Sequence, residues 1–294
     1  MNGLIITFIL PIIQLTLSKD AIQDLSVYNY HTKIGIPTAT KIKEWEESLD
    51  NRKSQRIVGG TLTDITEVPY QVGLIVTVFN NSISLCGGSL ISSNSIITAA
   101  HCYFDGKVTA DEFTSILGSN LIFSGGLRIL TNDITVHPDY DVEMISNDIA
   151  IIKIPDVIFS HTIQPIALPY NEESAESFSG LIGIASGYGL LTDENNVSAN
   201  QSLYSVEVEI ISNNDCSASY GPYITGSSIC TSGKKGKGTC NGDSGGPLVV
   251  FREKRNILVG VISFGTEECE LKFPSAYTRV TSFVNWIQSV AELD

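Results

Sequence analysis

Three short segments of this 294-residue chain hold side chains that can carry out nucleophilic and acid–base chemistry. They contain His101, Asp148 and Ser244, in that order along the chain. A serine hydroxyl is a weak nucleophile at neutral pH and needs a neighbouring base, and imidazole suits that task because its pKa lies near neutrality. The base needs a carboxylate to orient it, and the order His, Asp, Ser is one of those known for such a triad.

The serine segment is the most specific of the three. In Gly-Asp-Ser-Gly-Gly-Pro at 242–247 the glycines permit a tight turn that presents N–H groups to an oxyanion. Taken alone, His101 also has a structural interpretation, and Asp148 has one as a turn or strand-end residue. An aspartate that enters an apolar strand is nevertheless costly to bury unless a partner holds its charge.

The elements that must position these residues are β-strands. From Ile57 onward, short runs rich in Val, Ile, Thr and Phe alternate with turn residues, which predicts an all-β fold of sandwich or barrel type. Strands are predicted at 70–79, 88–91, 95–99, 116–117, 128–137, 149–154, 181–186, 203–211, 247–251 and 257–264. One amphipathic helix, with Ser282 as its N-cap, is predicted from apolar residues at helical spacing: Phe283, Trp286, Ile287 and Val290.

The first 56 residues differ in composition from the rest. Residues 4–17 are apolar, and small residues precede a possible cut after Ser18, which predicts a signal peptide at 1–18 and secretion to the extracellular space. A basic n-region is missing, and the alternative is a buried N-terminal strand. Residues 41–56 are strongly charged and end at Arg56, just before the abrupt change to Ile-Val-Gly-Gly. We interpret this junction as a processing site or an ordinary solvated linker.

Composition limits the classes of function and partner. The formal net charge of −14 argues against nucleic-acid binding, and it fits either a soluble surface or attraction of cationic substrates. After residue 18 no apolar run approaches the ~20 residues of a membrane span, so no membrane partner is expected. A secreted chain meets an oxidising environment in which its six cysteines should pair. Their spacing does not match a zinc motif, and no metal site or cofactor is expected.

Residues 57–294 resemble the chymotrypsin-like, trypsin-fold serine peptidases, in the style of digestive and collagenolytic arthropod members. The resemblance rests on Thr-Ala-Ala-His-Cys at 98–102, Asn-Asp-Ile-Ala at 147–150 and the serine segment. It implies two antiparallel β-barrels, an active site in the cleft between them and a C-terminal helix packed on the second. It also implies that His101 is the base, Asp148 orients it, and Ser244 forms the acyl-enzyme beside an oxyanion hole of the Gly242 and Ser244 N–H groups.

The same resemblance implies how the protein is activated. A peptidase that prefers Arg would cut between Arg56 and Ile57, and the freed α-amino group would fold inward to pair with Asp243. Residues 19–56 would be the activation pro-segment, which we expect to leave freely because every cysteine lies beyond residue 85. The implied disulfides are Cys86–Cys102, Cys216–Cys230 and Cys240–Cys269.

Substrate preference is inferred from positions that match the family's specificity pocket. Gly238, six residues before Ser244, stands where trypsin-like members carry an Asp that binds Arg or Lys. Gly265 should leave the entrance open, and Ser275 should narrow the base. We expect a chymotrypsin-like or broad preference for bulky apolar P1 residues, ahead of small aliphatic and then basic ones. The remaining positions are Asn241 at the rim, Ser263 and Phe264 on the walls, and Glu267, Glu268 and Glu270 nearby, which could still attract basic groups.

Several further expectations concern modification, assembly and alternatives. Residues 113–132 match the family's calcium loop but contain no Asp or Glu, so no calcium is expected there. We expect a monomer that acts on protein or peptide substrates. The alternative is a catalytically silent homologue that serves as a binding or cofactor protein; an α/β-hydrolase esterase would need the order Ser, Asp, His. Glycosylation acceptors are Asn80, Asn196 and Asn200, and no catalytic role is expected for His31, His137 and His161.

Overall fold

The computed structural model describes residues 25–51, 63–192, 201–236, 238–266 and 268–293. Their first sheet comprises β1 (Gln71–Val78), β2 (Ser82–Leu90), β3 (Ser95–Thr98), β4 (Glu112–Leu117), β5 (Leu127–Thr131), β6 (Ile134–Val136) and β7 (Ala150–Lys153). The strand order is β5-β4-β1-β2-β3-β7-β6, all antiparallel. This sheet is curved only part of the way to a barrel, so β5 and β6 are its edges.

The second sheet is a closed barrel in the order β10-β13-β12-β11-β8-β9. Its strands are β8 (Ile182–Gly187), β9 (Tyr204–Ile211), β10 (Ser228–Thr231), β11 (Pro247–Arg252), β12 (Arg255–Phe264) and β13 (Ser275–Arg279). The expected all-β, chymotrypsin-like fold is confirmed. Strands β10 and β13 were not predicted because both are short and rich in Ser and Thr, and they become strands by pairing with each other to close the barrel.

Strand β1 illustrates why these segments form sheets. Four alternate side chains of β1 are completely buried in the hydrophobic core: Val72, Leu74, Val76 and Val78. Each such burial stabilises the fold by about 1.5–3 kcal/mol. The β-branched residues also favour the extended backbone. Gln71, Gly73 and Ile75 on the other face are buried as well, so β1 is an interior strand of the sheet.

The C-terminal helix, α3 (Val284–Ala291), is confirmed, but it differs in two details. Its N-cap position is Phe283, because Ser282 belongs to a preceding 3₁₀ turn. The helix packs on the first sheet rather than on the second barrel: it contacts β7, and the ring of His137, after β6, lies 4.9 Å from that of Trp286. The apolar stripe of α3 predicts that the helix packs against a core. It does not predict which of the two sheets the helix packs on, because that depends on the path of the chain between them.

The other two helices were not predicted. They are α1 (Ile36–Asn51) and α2 (Asn213–Tyr220), and a π-helical turn, His31–Gly35, leads into α1. Helix α1 packs against β2, and Ile34, Ala39 and Ile42 are buried in the core of the first sheet. Although no disulfide holds them, residues 25–51 therefore pack on the rest of the uncut chain. The buried positions follow a helical period that the charged residues around them obscured.

The structure contains the three disulfides that the family resemblance implies. They are Cys86–Cys102, Cys216–Cys230 and Cys240–Cys269. The first closes the turn that carries His101, and the third closes the loop after β12. In the described part of the chain, no helix is both long enough and apolar enough to cross a bilayer.

Candidate active site

His101, Asp148 and Ser244 come together at the junction of the two sheets. His101 lies in a 3₁₀ turn directly after β3, and Asp148 lies two residues before β7. Because β3 and β7 pair with Thr98 opposite Ala150, both side chains reach the same end of the first sheet. Ser244 comes from the second sheet, and its carbonyl oxygen accepts a hydrogen bond of 2.7 Å from the N–H of Gly87 in β2.

The histidine and the aspartate form a buried, hydrogen-bonded pair. His101 Nδ1 donates to Asp148 Oδ2 at 2.8 Å, and the His101 backbone N–H donates to Asp148 Oδ1 at 2.9 Å. Burial by itself raises the pKa of Asp148, but the charge of His101 and three hydrogen bonds outweigh it, so the pKa lies below its ordinary value. The carboxylate is therefore charged at neutral pH, and it keeps a proton on Nδ1 and leaves Nε2 as the basic nitrogen.

Nε2 of His101 is the atom that would accept a proton. It is buried and makes no hydrogen bond with any other described residue. Ser244 itself is only 7% exposed. Cys102 Sγ lies 3.6 Å from the Ser244 carbonyl oxygen, so the turn of His101 and the turn of Ser244 adjoin. A basic imidazole nitrogen without a hydrogen-bond partner can deprotonate the serine hydroxyl once the serine engages it.

A small cavity lies beside Ser244, and it brings together most of the residues predicted for the pocket. Its lining includes Asn241, Ser263, Phe264 and Gly265. Gly238 lies against Ser275, since a Cβ on Gly238 would be 3.1 Å from Ser275 Oγ. Gly238 lines a second cavity, together with Asp243 and Glu270. Among the described residues that line the cavity beside Ser244, none is acidic.

Asp243 lies beneath the serine turn and is partly buried. Its Oδ1 accepts from the N–H of Gly189 and its Oδ2 from the N–H of Cys240, both at 2.9 Å. Burial of the carboxyl raises its pKa to about 6, and the two amides offset only part of that effect. A cation beside Asp243 would therefore be strongly favoured. Arg56 and Ile57, the residues predicted to supply one, lie outside the described residues.

Sequence reasoning missed two supports of the aspartate. The Ser263 hydroxyl donates to Asp148 Oδ2 at 2.5 Å, and the Thr278 hydroxyl donates to the Asp148 carbonyl oxygen at 2.6 Å. Ser263 was predicted only as a pocket wall. Nothing local in the sequence indicates these bonds, because their partners lie 115 and 130 residues apart.

Other predicted residues are placed as follows. The cluster of Cys86, His101 and Cys102 has metal-ligand atoms close together, but both sulfurs are bonded to each other and His101 Nδ1 donates to Asp148. Asn80 is exposed in the turn between β1 and β2, while Asn196 and Asn200 lie outside the described residues. His31 is buried near the site, with its ring against that of Tyr30.

The fold and this site define a serine peptidase built from two antiparallel β-sheets. A family model described as trypsin matches residues 57–287, and the chain belongs to the trypsin family. The expected membership is thereby confirmed.

Individual relatives agree with this assignment. The chain is 39% identical to brachyurin of Leptuca pugilator over 238 residues, which are 79% of this chain and 97% of that protein. It is 36% identical to a collagenase of Hypoderma lineatum over 82% of this chain and 89% of that one. It is 37% identical to trypsin delta of Drosophila melanogaster over 83% of this chain and 92% of that one. A solved collagenase structure matches with a TM-score of 0.73 at 34% identity, over 81% of this chain and 100% of that chain.

Proposed function

We propose that this chain is the secreted zymogen of a serine endopeptidase in which Ser244 is the nucleophile, His101 the base and Asp148 the residue that orients the base. The observation that carries the proposal is the His101–Asp148 pair, which is buried and leaves Nε2 as the free basic nitrogen. All three side chains that the chemistry needs are present. A catalytically silent homologue, the alternative, would lack at least one.

The reaction proceeds in two halves. The Ser244 oxygen attacks the carbonyl carbon of the scissile bond while His101 Nε2 takes the hydroxyl proton. The N–H groups of Gly242 and Ser244 stabilise the oxyanion, and His101 then gives the proton to the departing amine. Water repeats the sequence on the acyl-enzyme. The turn at Gly242 supports this assignment, because its φ of 101° lies in the region that favours glycine and a Cβ there would be 3.1 Å from Gly189 Cα.

Activation would follow a cut between Arg56 and Ile57 by a peptidase with Arg preference. The new α-amino group would pair with Asp243, whose carboxylate is held by amide groups alone among the described residues. Because burial raises the pKa of that carboxyl to about 6, an ammonium partner would relieve a real penalty. The pair would order the Gly242 turn on one side of Asp243 and the Gly238 segment on the other.

The preference for bulky apolar P1 residues is the finer part of the proposal. It is supported by Gly238, which stands where trypsin-like members carry an aspartate. Relatives named brachyurin, collagenase and trypsin are about equally similar, so overall identity does not choose between them. The choice depends on Gly238. Secretion is supported by the three disulfides, which form in oxidising compartments.

One experiment tests activation and preference together. The purified chain is treated with immobilised trypsin, its new N-terminus is sequenced, and cleavage is profiled on peptides that vary at P1. Assayed at nanomolar concentration, the cut chain should have Ile57 as its new N-terminus, a rise in activity of at least about 10²-fold from the buried ion pair, and preferred cleavage after large apolar residues.

The matched control is Arg56→Gln, in which trypsin can still cut after Lys53. Cutting that variant should leave it inactive, because its new terminus cannot reach Asp243 in the same way. Dominant cleavage after Arg or Lys would refute the role given to Gly238. If Ser244 of the cut chain failed to react with a fluorophosphonate, the silent-homologue alternative would hold instead.

A further inference from the structure

We propose that residues 25–51 are an inhibitor of this active site, and that they stay bound to it after the chain is cut before Ile57. The proposal rests on the proposed function, since it concerns the same site. Pairing of the new N-terminus with Asp243 would order the site, whereas bound residues 25–51 would still block it. Cleavage alone does not remove this second block. Four sets of contacts carry it.

The first set lies along the edge of the strand that walls the pocket. Leu25 forms an antiparallel bridge with Thr266. The Ser26 N–H donates to the Gly265 carbonyl at 3.2 Å, and the Gly265 N–H donates to Ser26 Oγ at 3.0 Å. An extended peptide that binds a cleft by adding a strand makes this kind of pairing. The edge that a substrate would use is therefore occupied.

The second set is apolar. Val27 is completely buried and Leu25 nearly so, and both belong to one cluster with Ile145, Tyr220 and Phe264. Ile145 precedes Asp148 by three residues, and Phe264 follows Ser263, so this cluster adjoins the catalytic pair. Burial of these two aliphatic side chains favours docking through the hydrophobic effect and offsets part of the cost of ordering the segment.

The third set is made by Tyr30, which reaches the catalytic residues themselves. Its ring centre lies 5.0 Å from that of His101, edge to face, and its hydroxyl donates to the Leu85 carbonyl at 2.6 Å. Tyr30 also lines the cavity beside Ser244. Burial raises the pKa of Tyr30 above its ordinary value, so the hydroxyl stays a donor. The side chain occupies space that a substrate must enter.

The fourth set anchors the turn and helix that follow. The His31 N–H donates to Asp105 Oδ2 at 2.8 Å, and His31 Nδ1 lies 2.9 Å from Ser84 Oγ. Farther along α1, Glu46 is buried, and its carboxylate accepts from the N–H groups of Ile122 at 2.8 Å and Phe123 at 3.0 Å. A buried carboxylate that accepts hydrogen bonds from amides of the body, which is residues 57–294, indicates specific docking.

These contacts predict what cleavage does. None of them involves residues 52–62, so a cut before Ile57 leaves all four sets intact. The cleaved segment then dissociates according to its own affinity, as an inhibitor would. Activity of the cut protein should therefore depend on protein concentration.

The test uses the full chain with residues 52–56 replaced by Asp-Asp-Asp-Asp-Lys, so that enteropeptidase cuts once, before Ile57. Activity per mole toward a small apolar-P1 peptide is measured while the cut protein is diluted from micromolar to nanomolar. Co-elution of the segment with the body is followed by gel filtration. We expect activity per mole to rise at least about 10-fold on dilution, and the segment to co-elute at micromolar concentration.

Gly35→Ala separates docking from the catalytic machinery. A Cβ on Gly35 would lie 1.9 Å from Ser84 Oγ, whereas a Cβ on Gly226 would meet nothing within 4 Å. Gly35→Ala should give nearly full activity at every concentration, and the control Gly226→Ala should behave like the parent chain. Tyr30→Phe, which keeps the ring but loses the bond to Leu85, should shift the dilution curve to higher concentration.

The outcomes are distinct. Activity per mole that does not change with dilution, together with a segment that elutes separately, would overturn the inhibitor. A segment that co-elutes while activity is already full would also overturn it, because binding would then not block the site. A body that stays inactive after the segment has been removed would refute the proposed function instead.

A pH dependence follows from His31. Burial lowers its pKa to about 4 in the docked state, despite the carboxylate of Asp105, while His101 and Tyr30 face the same ring. Because docking lowers the pKa of His31, protonation of His31 disfavours the docked state. The affinity of the segment is therefore full above the ordinary pKa of histidine and declines as the pH falls. At about pH 5 the dissociation constant should be larger than at about pH 7.5 by at least about 10-fold.

The control for this prediction is His31→Gln in the same background, with each dilution series normalised to its own dissociated limit. Burial raises the pKa of Glu46, which opposes the trend, but that effect is common to both proteins. The variant should show a much weaker pH dependence. Equal dependence in both proteins would exclude His31 as the cause.

Discussion

Replacing Ser244 by alanine is expected to lower kcat of the activated protein by about 10⁶-fold while leaving the fold unchanged. The substitution removes only the hydroxyl group, and no acyl-enzyme can form without it. Ser244 lies at the junction of the sheets, but its carbonyl, not its hydroxyl, holds the bond to Gly87. The remaining N–H groups and the binding cleft account for the residual rate.

A matched control is available in β4. Ser115→Ala also removes a buried serine hydroxyl, and that hydroxyl has no hydrogen-bond partner among the described residues. Its activity should equal that of the parent. Single-turnover kinetics with an ester substrate, and labelling by a fluorophosphonate, provide the measurement. If Ser244→Ala retained more than about one part in 10³ of kcat, another residue would have to be the nucleophile.

The second large effect is expected from Asp148→Asn. The loss in kcat should be about 10⁴-fold, the size known for this change in the chymotrypsin-like family. The structure supplies the reason here. Both carboxylate oxygens accept from His101, and one also accepts from Ser263, so an amide NH₂ at either position meets a donor. His101 must then flip or move its proton to Nε2, where it can no longer act as base.

The measurement is the separate determination of kcat and KM against pH. A loss in kcat with little change in KM is expected, because Asp148 does not line the pocket. Asp133→Asn, an exposed change of the same type, should leave both constants unaltered. A loss confined to KM would mean that Asp148 shapes the binding cleft rather than the base.

Much of the fold was predictable because its strands obey local rules. The alternation in β1 and the apolar run that becomes β7 mark buried strands from their own residues. Strands β10 and β13 were not predictable in this way, since only closure of the second barrel makes them pair. Helix α3 was predicted from its stripe, but its docking on β7 was not, because an apolar stripe does not name its partner.

The candidate site, like the fold, was predictable only where the signal is local in the sequence. The candidates His101, Asp148 and Ser244 could be predicted from the sequence, because each lies in a local and specific motif. The support of Asp148 by Ser263 and the contact of Tyr30 with His101 became visible only in the folded protein. Those contacts join parts of the chain 115 and 71 residues apart, and they exist because packed sheets bring distant turns together. Local periodicity indicates which face of a segment is buried, whereas the packing of residues 25–51 beside His101 depends on the shape of the folded sheets.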